Sequence, residues 1–418
     1  MKMRSTLKRL VGAMVLASAG ISATNAIADS IYSEGYQNPT RGWRIKQDDF
    51  PQGGILDAVS FEWDYFMFHS YDRKFAGAMA VIVANPKGIL NDLVQALPNG
   101  GNVAFMGQPQ GVAPIANFTN FGLSAEIGKN SRTFYGVDPT TGQYAQMMPT
   151  ANAGFHLTGR TDDFEWDINV NGSQPERDVL RATSGSPFTL FHATDVGLKL
   201  PGEEWNVDNI WPRTEFTGTV KMVKTGEIIP VTGKGYREDS FGRMVLAADG
   251  WDFMVFSEDD PHGASIVFQT YHNSTAMDYM DVSFEENGQL VSQRFLANKN
   301  TLGWIHPHWK WDQRAYQCQP QDSTIVGDNG KYRIEISVDI GTHQVPILYD
   351  QALGTKIYFI QEHFPTVSGV IKRKDTGAVV RTFSGQAGGE FSLLKSAIQL
   401  GDASCTLFNK YKFYSRLP

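Results

Sequence analysis

The chain has 418 residues, with 37 Lys plus Arg, 44 Asp plus Glu and a formal net charge of −7. This acidic balance argues against nucleic acid and anionic membrane surfaces as partners. Glycine (41 residues) and aromatic residues (12%) are abundant, whereas long segments with a 3.6-residue period are scarce. The composition favours an all-β protein with few, short helices.

The N-terminus is typical of a secretory signal. Four basic residues precede an apolar stretch from Leu10 to about Ala23, and Ala26-Ile27-Ala28 fits the small-x-small cleavage pattern. We expect residues 1–28 to be a cleaved signal peptide and the mature protein to be periplasmic or secreted. Cleavage leaves 33 basic against 44 acidic side chains, a net charge near −11. No later stretch reaches the roughly 20 apolar residues of a membrane span, so none is expected in the mature chain.

An internal repeat indicates two domains. The segment Trp63-Asp64-Tyr65-Phe66-Met67-Phe68 returns as Trp251-Asp252-Phe253-Met254-Val255-Phe256, and Thr217-Gly218-Thr219-Val220-Lys221 is matched by Ser368-Gly369-Val370-Ile371-Lys372. Because both pairs occur in the same order, the simplest account is two copies of one β-rich unit. We predict an N-terminal domain over 29–244 and a C-terminal domain over 245–418. The stretch at about 98–150 has no match in the second copy and is predicted to be an insertion that forms a lid or rim loop.

Short β-branched or aromatic runs, separated by turn residues, predict strands along the chain. Examples are residues 78–84, 228–232, 265–271 and 332–338. Asn287-Gly288 and Asn329-Gly330 are typical hairpin turns. Helices are predicted only at 89–97 and at 391–399. Many short strands at this spacing favour antiparallel barrels or sandwiches, and a closed barrel can hold an apolar ligand.

Two motifs resemble those of a known family. Phe61-Glu62-Trp63-Asp64-Tyr65 resembles a Glu-Trp-Trp-Tyr signature, and the segment from Gly233 to Gly242 resembles Gly-x-Gly-Tyr-x-Asp-x-x-Trp-Gly. Both signatures belong to two-domain lipocalin-like proteins, which include AttH-type secreted proteins, carotenoid 1,2-hydratases of the hydroxyneurosporene synthase type and, more distantly, tocopherol cyclases and fungal Diels-Alderases with kievitone hydratase. The resemblance implies two lipocalin-like antiparallel β-barrel or sandwich domains in tandem, with an apolar cavity near their junction. The second motif falls between the two copies, where ligand pockets are common.

The hydratase and cyclase members imply protonation of an alkene or epoxide, with water or an internal hydroxyl capturing the cation. Such a step needs a carboxylic acid kept protonated in an apolar pocket. By the motif alignment, Glu238 occupies the family's acid position, while Asp239 stands where hydratases carry His. Adjacent residues on a strand point to opposite faces, so only one of the two can face the pocket. Glu238, Asp239 and His308 are the candidate catalytic residues.

The candidate substrate-binding residues are mostly aromatic. They are Trp63, Tyr65, Tyr236, Arg237, Phe241, His306, Trp309 and Trp311. His306 and His308 share a face if their segment is extended. They would then either bind a metal together with a distant carboxylate or form a hydrogen-bonded pair at a rim; because no third ligand is evident, we expect neither metal nor cofactor. The alternative for residues 236–239 is a turn and salt-bridge network that locks the domains.

Cys318 and Cys405 are the only cysteines. In an exported protein such a pair favours a disulfide over a site. The bridge would tie a C-terminal strand to the loop after His308 and stabilise the fold by roughly 4 kcal/mol.

Two functions are compatible with these features. The first is an exported enzyme that hydrates or cyclises a hydrophobic, isoprenoid- or polyketide-like molecule by acid assistance, or templates a pericyclic step. The second is a non-catalytic carrier of a hydrophobic ligand or lipid. Only the enzyme requires a carboxylate or histidine that converges on the pocket, and the family resemblance favours it.

Overall fold

A computed structural model of the chain describes most of the residues after the predicted signal peptide. The described residues are 43, 60–85, 100–128, 131–150, 154–172, 204–243, 250–260, 262–271, 278–315, 317–350, 357–393, 401–411 and 415–416. The predicted signal peptide (1–28) and the predicted helix at 89–97 lie outside them. Within the described residues, no helix is both long enough and apolar enough to span a membrane.

The first sheet is a continuous antiparallel array of eleven strands. They are β1 (Ser60–Ser70), β2 (Phe75–Asn85), β3 (Gly100–Pro109), β4 (Ile115–Gly122), β5 (Glu126–Ile127), β6 (Phe134–Asp138), β7 (Gln143–Pro149), β8 (Phe155–Arg160), β9 (Phe164–Gly172), β10 (Glu204–Met222) and β11 (Ile228–Arg243). Their order is β4-β3-β2-β1-β11-β10-β9-β8-β7-β6-β5. One face supplies a single core that includes Phe66, Val81, Phe105, Trp166 and Val231. Since distant strands share this core, the sheet curls around it.

The prediction of a lid or rim loop at about 98–150 is wrong for the described residues of this segment, because they form strands β3 to β7 of the first sheet. Phe105, Phe134 and Met147 are buried in the core of this sheet. Gly107 allows the large rings to approach, since a Cβ there would lie 2.7 Å from the ring of Phe75. The segment is rich in Gly and Asn, which indicated a loop, but it forms strands. Its glycines leave room for neighbouring aromatic side chains.

The remaining strands form a second unit. They are β12 (Gly250–Ser257), β13 (Ser265–Tyr271), β14 (Tyr279–Glu286), β15 (Gln289–Leu296), β16 (Leu302–Ile305), β17 (Trp309–Asp312), β18 (Gln317–Pro320), β19 (Asp322–Asp328), β20 (Tyr332–Asp339), β21 (Gln344–Asp350), β22 (Ile357–His363), β23 (Thr366–Arg373), β24 (Val379–Gln386) and β25 (Gly388–Leu393). A seven-stranded sheet, β15-β14-β13-β12-β25-β22-β21, faces a five-stranded sheet, β16-β19-β20-β23-β24, and β17 pairs with β18. Both sheets contribute to one core, with Phe256 and Ile266 from the first and Ile334 and Ile371 from the second. The expected all-β, antiparallel fold is confirmed.

The repeat motifs occupy matching places. Trp63 lies on β1 and Trp251 on β12, the first strand of each unit, while Gly218 lies on β10 and Gly369 on β23. The Asn287-Gly288 hairpin joins β14 to β15 with φ angles of 54° and 74°. Both values lie in the left-handed region that a type I′ turn requires.

The helix predicted at 391–399 is wrong where it is described, since Phe391 lies in β25 and pairs with Asp252 of β12. Pairing on both sides of the strand overrides the local helical pattern. The described helical elements are α1 (Asp402–Tyr411) and one 3₁₀ turn at Ala297–Lys299. The predicted disulfide is confirmed, with an S–S distance of 2.10 Å between Cys318 and Cys405. The elements that it joins differ from the expected ones, because Cys405 lies on α1 and not on a strand, and Cys318 lies on β18 and not in a loop.

A separate apolar cluster joins the two units. The outer face of the first sheet contributes Met67, Ala80 and Tyr236, and the seven-stranded sheet contributes Phe253 and Val267. We call this contact the junction. The sheets approach closely, because a Cβ added at Gly388 of β25 would lie 1.5 Å from Met67 Sδ.

Candidate active site at the junction

The pairing of β1 with β11 directs the two candidate acids to opposite faces. Tyr65 is the cross-strand partner of Glu238, and Asp64 is the partner of Asp239. Side chains alternate along a strand, so Glu238 and Tyr65 face the junction while Asp64 and Asp239 face the interior of the first sheet. All four side chains are buried.

The interior face holds an ion cluster around Arg132. Its Nη1 donates to Glu62 Oε1 at 2.5 Å and its Nη2 donates to Asp239 Oδ1 at 2.5 Å. Asp64 accepts hydrogen bonds from Arg132 Nε and Arg237 Nη2. Burial lowers the pKa of Arg132, but its three carboxylate neighbours outweigh burial and raise that pKa well above its usual value. Asp239 is therefore an ion-pair acceptor on the interior face of the first sheet, not a side chain of the junction face.

Arg132 was not a candidate from the sequence. It lies just before β6, within the segment predicted as an insertion, and its partner Asp239 is 107 residues away. Such pairing leaves no spacing signal. The Trp43 ring covers the guanidinium, with Cζ 4.1 Å from the ring centroid. For Arg237 and Asp239 the predicted salt-bridge network is confirmed, although it lies inside the first sheet and does not link the two units.

The junction face brings three glutamates together: Glu238 of β11, Glu362 of β22 and Glu390 of β25. Glu362 and Glu390 are cross-strand partners. Their charges interact with each other and with the charge of Glu238. The Tyr236 hydroxyl donates to Glu238 Oε2 at 2.7 Å, and the Tyr65 hydroxyl donates to Glu362 Oε1. Glu362 Oε2 has no hydrogen-bond partner among the described residues.

Two tryptophans border this group of carboxyls. Trp63 Nε1 donates to Glu238 Oε1 at 3.4 Å, and Trp251 Nε1 donates to Glu390 Oε2 at 3.1 Å. The Phe253 ring stands edge-on to that of Tyr65, with 6.0 Å between centroids. The carboxyls thus lie among aromatic rings, whose faces stabilise cations.

Burial controls the protonation of the cluster. Burial, followed by the charge of Glu390, raises the pKa of Glu362 well above its usual value. Glu390 keeps some accessible surface, yet burial and then the charge of Glu238 raise its pKa to about 7. Trp251 and Glu362 also shift the pKa of Glu390, but in the opposite direction. The three residues that shift this pKa, Glu238, Trp251 and Glu362, include no cation. Burial, then Glu362, also raises the pKa of Tyr65.

This arrangement can donate and accept protons near neutral pH. A carboxyl whose pKa lies near the working pH is suited to general acid catalysis, and close carboxyls without a cation share protons because they cannot all ionise. Glu362 and Glu390 were not candidates from the sequence. A signal for Glu390 was present, since Glu238-Asp239-Ser240 is echoed by Glu390-Phe391-Ser392 at nearly the same distance after the matched glycines.

The structure separates the two candidate histidines. His306 is buried, with Nε2 3.0 Å from Asp252 Oδ2 and Nδ1 2.8 Å from Ser323 Oγ. His308 is exposed and pairs with Asp322 at 2.7 Å. The expectation of a shared face is wrong, because the side chain of His306 is buried and that of His308 is exposed; both residues lie between β16 and β17. The two imidazoles therefore form neither a common metal site nor a hydrogen-bonded pair, and His308 does not join the glutamates.

The other candidates divide between three places. Trp63, Tyr65 and Tyr236 lie at the junction. Trp309 and Trp311 lie in a small cluster with Phe391 and the disulfide, covered by Phe408 of α1. Phe241 lies on β11 as the backbone partner of Glu62. In the described part of the chain, no group of three or more His, Cys, Asp or Glu side chains is arranged to hold a metal.

Comparison with solved structures identifies the fold. A protein assigned to AttH, from Nitrosomonas europaea, matches with a TM-score of 0.50 and 12% identity over 84% of this chain and 97% of that one. This chain has the AttH fold. Kievitone hydratase from Nectria haematococca (7% identity, 85% and 98% covered, TM-score 0.47) and CghA with Sch210972 (11%, 87% and 97%, 0.46) are also similar. No family model and no curated protein matches the sequence.

In this chain, Glu238, Glu362 and Glu390 lie where the first sheet packs on the seven-stranded sheet. At this identity the likeness concerns the fold alone, because one fold hosts several chemistries. The activity must be argued from the side chains at the junction.

Proposed function

We propose that the protein is an exported enzyme that acts on a hydrophobic, isoprenoid- or polyketide-like small molecule by acid-assisted hydration or cyclisation at the junction. The observation that carries the proposal is the cluster of Glu238, Glu362 and Glu390. The raised pKa values of Glu362 and Glu390 keep a carboxylic proton available in neutral solution. Apolar and aromatic surroundings suit a substrate without charge.

The chemical step follows from these groups. A protonated Glu362 or Glu390 donates its proton to one alkene carbon, whose π electrons form the new C–H bond. The adjacent carbon becomes a cation, which the rings of Trp63 and Trp251 stabilise. In hydration, water attacks this cation and returns a proton to the carboxylate. In cyclisation, a second alkene or a hydroxyl of the same molecule attacks, and the carboxylate again recovers a proton.

Export is part of the proposal. The basic and apolar N-terminus fits a secretory signal. The Cys318–Cys405 disulfide supports it, because such bonds persist mainly in oxidising compartments.

A carrier of a hydrophobic ligand is the second candidate. It is favoured by the positions of two predicted catalytic residues, since Asp239 is held by Arg132 and His308 is exposed. A carrier needs the apolar junction and no proton donor.

The test is incubation of the mature protein with a terpenoid extract of its host in D₂O enriched in H₂¹⁸O, followed by chromatography and mass spectrometry. The compared proteins are wild type, Glu238→Gln, Glu362→Gln and Glu390→Gln. Glu227→Gln is the matched control, because Glu227 is exposed on the turn before β11.

Hydration adds one ¹⁸O and one deuterium to carbon, whereas cyclisation gives a new retention time with deuterium only. We expect these products with wild type and Glu227→Gln, and a loss of at least tenfold with Glu362→Gln or Glu390→Gln. An unaltered ligand recovered from all five proteins, without deuterium, would establish the carrier instead.

A further inference from the structure

Polar contacts join the two units along one row of the first sheet. Four residues lie in register across β3, β2, β1 and β11: Gln108, Ala76, His69 and Lys234. Gln108 Nε2 lies 2.6 Å from His343 Nδ1 of the second unit. Lys234 Nζ donates to the Ser257 carbonyl and pairs with Asp259 Oδ1 at 2.6 Å. We call this row the clamp.

Arg213 of β10 strengthens the clamp. Its Nη1 donates to the carbonyl oxygens of Glu258 at 2.7 Å and Asp260 at 3.1 Å, and its Nη2 donates to that of Asp259 at 3.0 Å. Hydrogen bonds from a charged donor are among the stronger ones in proteins. The loop that follows β12 is therefore held firmly against the first sheet.

The glutamates lie on the same face, at a distance from the clamp. Tyr65 and Glu238 are cross-strand partners four residues from the clamp along β1 and β11. Four residues of a β-strand correspond to about 13 Å, and because four is even both rows face the second unit. Glu238 thus comes from one unit and Glu362 and Glu390 from the other. The Tyr65 hydroxyl donates to Glu362 Oε1 across the junction.

The described cavities beside these rows are too small for a substrate. One of about 10 Å³ is lined by residues that include Met67, Tyr236 and Val255, and one of about 20 Å³ by residues that include Phe253 and Glu390. Each is about the space that a single water needs. An apolar molecule therefore reaches the glutamates only when the two sheets move apart.

The aromatic neighbours of the glutamates leave their charges uncompensated. Four of these side chains donate a hydrogen bond to a glutamate: Trp63, Trp251, Tyr65 and Tyr236. None of the four is charged near neutral pH. Tyr279 of β14 also lies close, because burial, then the charge of Asp281, then that of Glu238 raise its pKa. Its hydroxyl donates to Gln269 Oε1 at 3.0 Å.

The cations near the junction already have partners. Arg294 donates two hydrogen bonds of 2.7 Å to Asp281, whose pKa burial nevertheless raises to about 7. Lys234 pairs with Asp259 in the clamp. Burial, then the charge of Lys234, lowers the pKa of His69 to about 3, so this imidazole is neutral.

Ionisation of the glutamates is thus less favourable in the closed junction than in water. Burial raises the pKa of Glu362 well above its usual value and that of Glu390 to about 7. The closed state therefore binds more protons than an open state in which the same carboxyls are hydrated. By linkage, the closed state has its full stabilisation at acid pH and loses it as the pH rises through the raised values.

We propose that the junction is a proton-operated switch. Glu238 on one side and Glu362 and Glu390 on the other let the sheets pack together when they are protonated, and drive them apart about the clamp when they ionise. Its role in catalysis rests on the proposed function. A substrate enters the open junction, and proton uptake then closes the sheets and supplies the catalytic acid in one step.

The experiment measures the distance between two spin labels by double electron–electron resonance at a series of pH values. Leu123→Cys and Lys299→Cys place the labels on exposed positions of the first and the second unit, beyond the glutamates as seen from the clamp. Tyr71→Cys and His262→Cys form a second pair, on exposed positions beside the clamp. Both native cysteines are in the disulfide, so the labels attach only to the new thiols.

We expect one short distance between labels 123 and 299 at about pH 4.5, and a longer distance whose population grows with a midpoint near pH 7. Glu238→Gln and Glu390→Gln each remove one charge and should move this midpoint upward by about one pH unit or more. Glu227→Gln, the matched control, should leave it in place. The distance between labels 71 and 262 should be the same at every pH.

Several outcomes would overturn the switch. They are a single 123–299 distance between about pH 4.5 and 9, opening at acid pH, and lengthening of both labelled pairs with loss of the near-ultraviolet circular dichroism, which is unfolding. Asp281→Asn should retain the transition, and its loss in this variant alone would assign the pH dependence to Asp281 instead. The wild-type result is decisive even if one glutamine variant does not fold.

The switch and the proposed enzyme fail separately. A label distance that lengthens with pH in a protein that converts no component of the extract supports the switch and counts against acid catalysis. Conversion by a protein whose label distance is the same at every pH supports catalysis and overturns the switch.

Discussion

Glu238 and Glu390 are equivalent positions of the internal repeat and face each other across the junction. Each is the cross-strand partner of the residue two places after a repeated tryptophan, Tyr65 in one unit and Phe253 in the other. Each accepts a hydrogen bond from that tryptophan, at 3.4 Å and 3.1 Å. The repeated strand pair therefore contributes one acid from each unit to a shared surface, and β22 contributes Glu362. The units differ in that Glu238 accepts a hydrogen bond from the Tyr236 hydroxyl on its own strand, whereas the residue two places before Glu390 is Gly388.

The pKa of Glu390 predicts a dependence of stability on pH. Its pKa is about 7 in the folded state and lies near 4.5 in the unfolded chain, so the folded state binds more protons between these values. The stabilisation is complete below about pH 4.5 and is lost as the pH rises through 7, by at most about 3 kcal/mol. Glu390→Gln keeps the neutral form at every pH. Urea unfolding at pH 4.5, 5.5, 6.5 and 7.5 should show a shallower fall for this variant than for wild type.

The control for this measurement is Glu227→Gln, which removes an exposed carboxyl and should follow the wild-type curve. Parallel curves for wild type and Glu390→Gln would contradict the raised pKa. The buried His69 and His363 titrate in the opposite sense, since their pKa values are lowered to about 3 and about 4. They are present in all three proteins, so they cancel in the comparison.

Arg132 is predicted to be essential for the first sheet. Arg132→Met removes the guanidinium that pairs with the buried carboxylates of Glu62, Asp64 and Asp239, and breaking such a buried pair costs about 3–5 kcal/mol. Arg132→Lys should recover little, because one ammonium cannot reach three carboxylates as the guanidinium does. Urea unfolding gives both values. Arg160→Met is the control, because Arg160 is exposed on β8 and should change stability by less than about 0.5 kcal/mol. A loss below about 1 kcal/mol for Arg132→Met would refute the role of the cluster.

Much of the fold could be predicted because its signals are local. Alternation in β1 and β12, the Asn287-Gly288 hairpin and the repeated motifs require no knowledge of distant contacts. The predictions of secondary structure were wrong where pairing with distant strands determines the local structure. Phe391 joins a strand because β12 and β22 flank it, and the Gly-rich segment from residue 100 to 150 forms strands because other strands supply its aromatic neighbours.

The candidate site could be predicted only in part. Alternation established that Glu238 and Asp239 diverge, and the motif drew attention to both. The sequence did not show which of the two faces the junction. The ion pairs of Arg132 identify the interior face, and its partners Asp64 and Asp239 are 68 and 107 residues away. Glu362 meets Tyr65 across 297 residues, with no motif around it. His308 failed as a candidate because its side chain is exposed and pairs with Asp322, whereas His306 is buried.

The disulfide is predicted to fix α1 to the second unit. Cys318 and Cys405 are 87 residues apart, and a closed loop of that size stabilises the folded state by roughly 4 kcal/mol. The double variant Cys318→Ser, Cys405→Ser should lose about that amount, and hydrogen exchange of residues 402–411 should accelerate. Wild type treated with a thiol-free reductant should behave as the variant does. Unchanged unfolding in both would show that packing of Phe408 on Trp309 is sufficient to hold the helix.

The contact of Met67 with Gly388 predicts coupling between the two units. A Cβ at residue 388 would lie 1.5 Å from Met67 Sδ, so Gly388→Ala forces the sheets apart or displaces the methionine, at a cost of about 1–3 kcal/mol. Met67→Ala creates space and loses apolar contacts, at about 2–5 kcal/mol. If the two residues touch, the double variant is more stable than the sum of the single effects, by about 1 kcal/mol or more. Urea unfolding of the four proteins completes the cycle. Strict additivity would mean that the first sheet does not pack on β25 at this position, and the closeness of the three glutamates would then lose its structural basis.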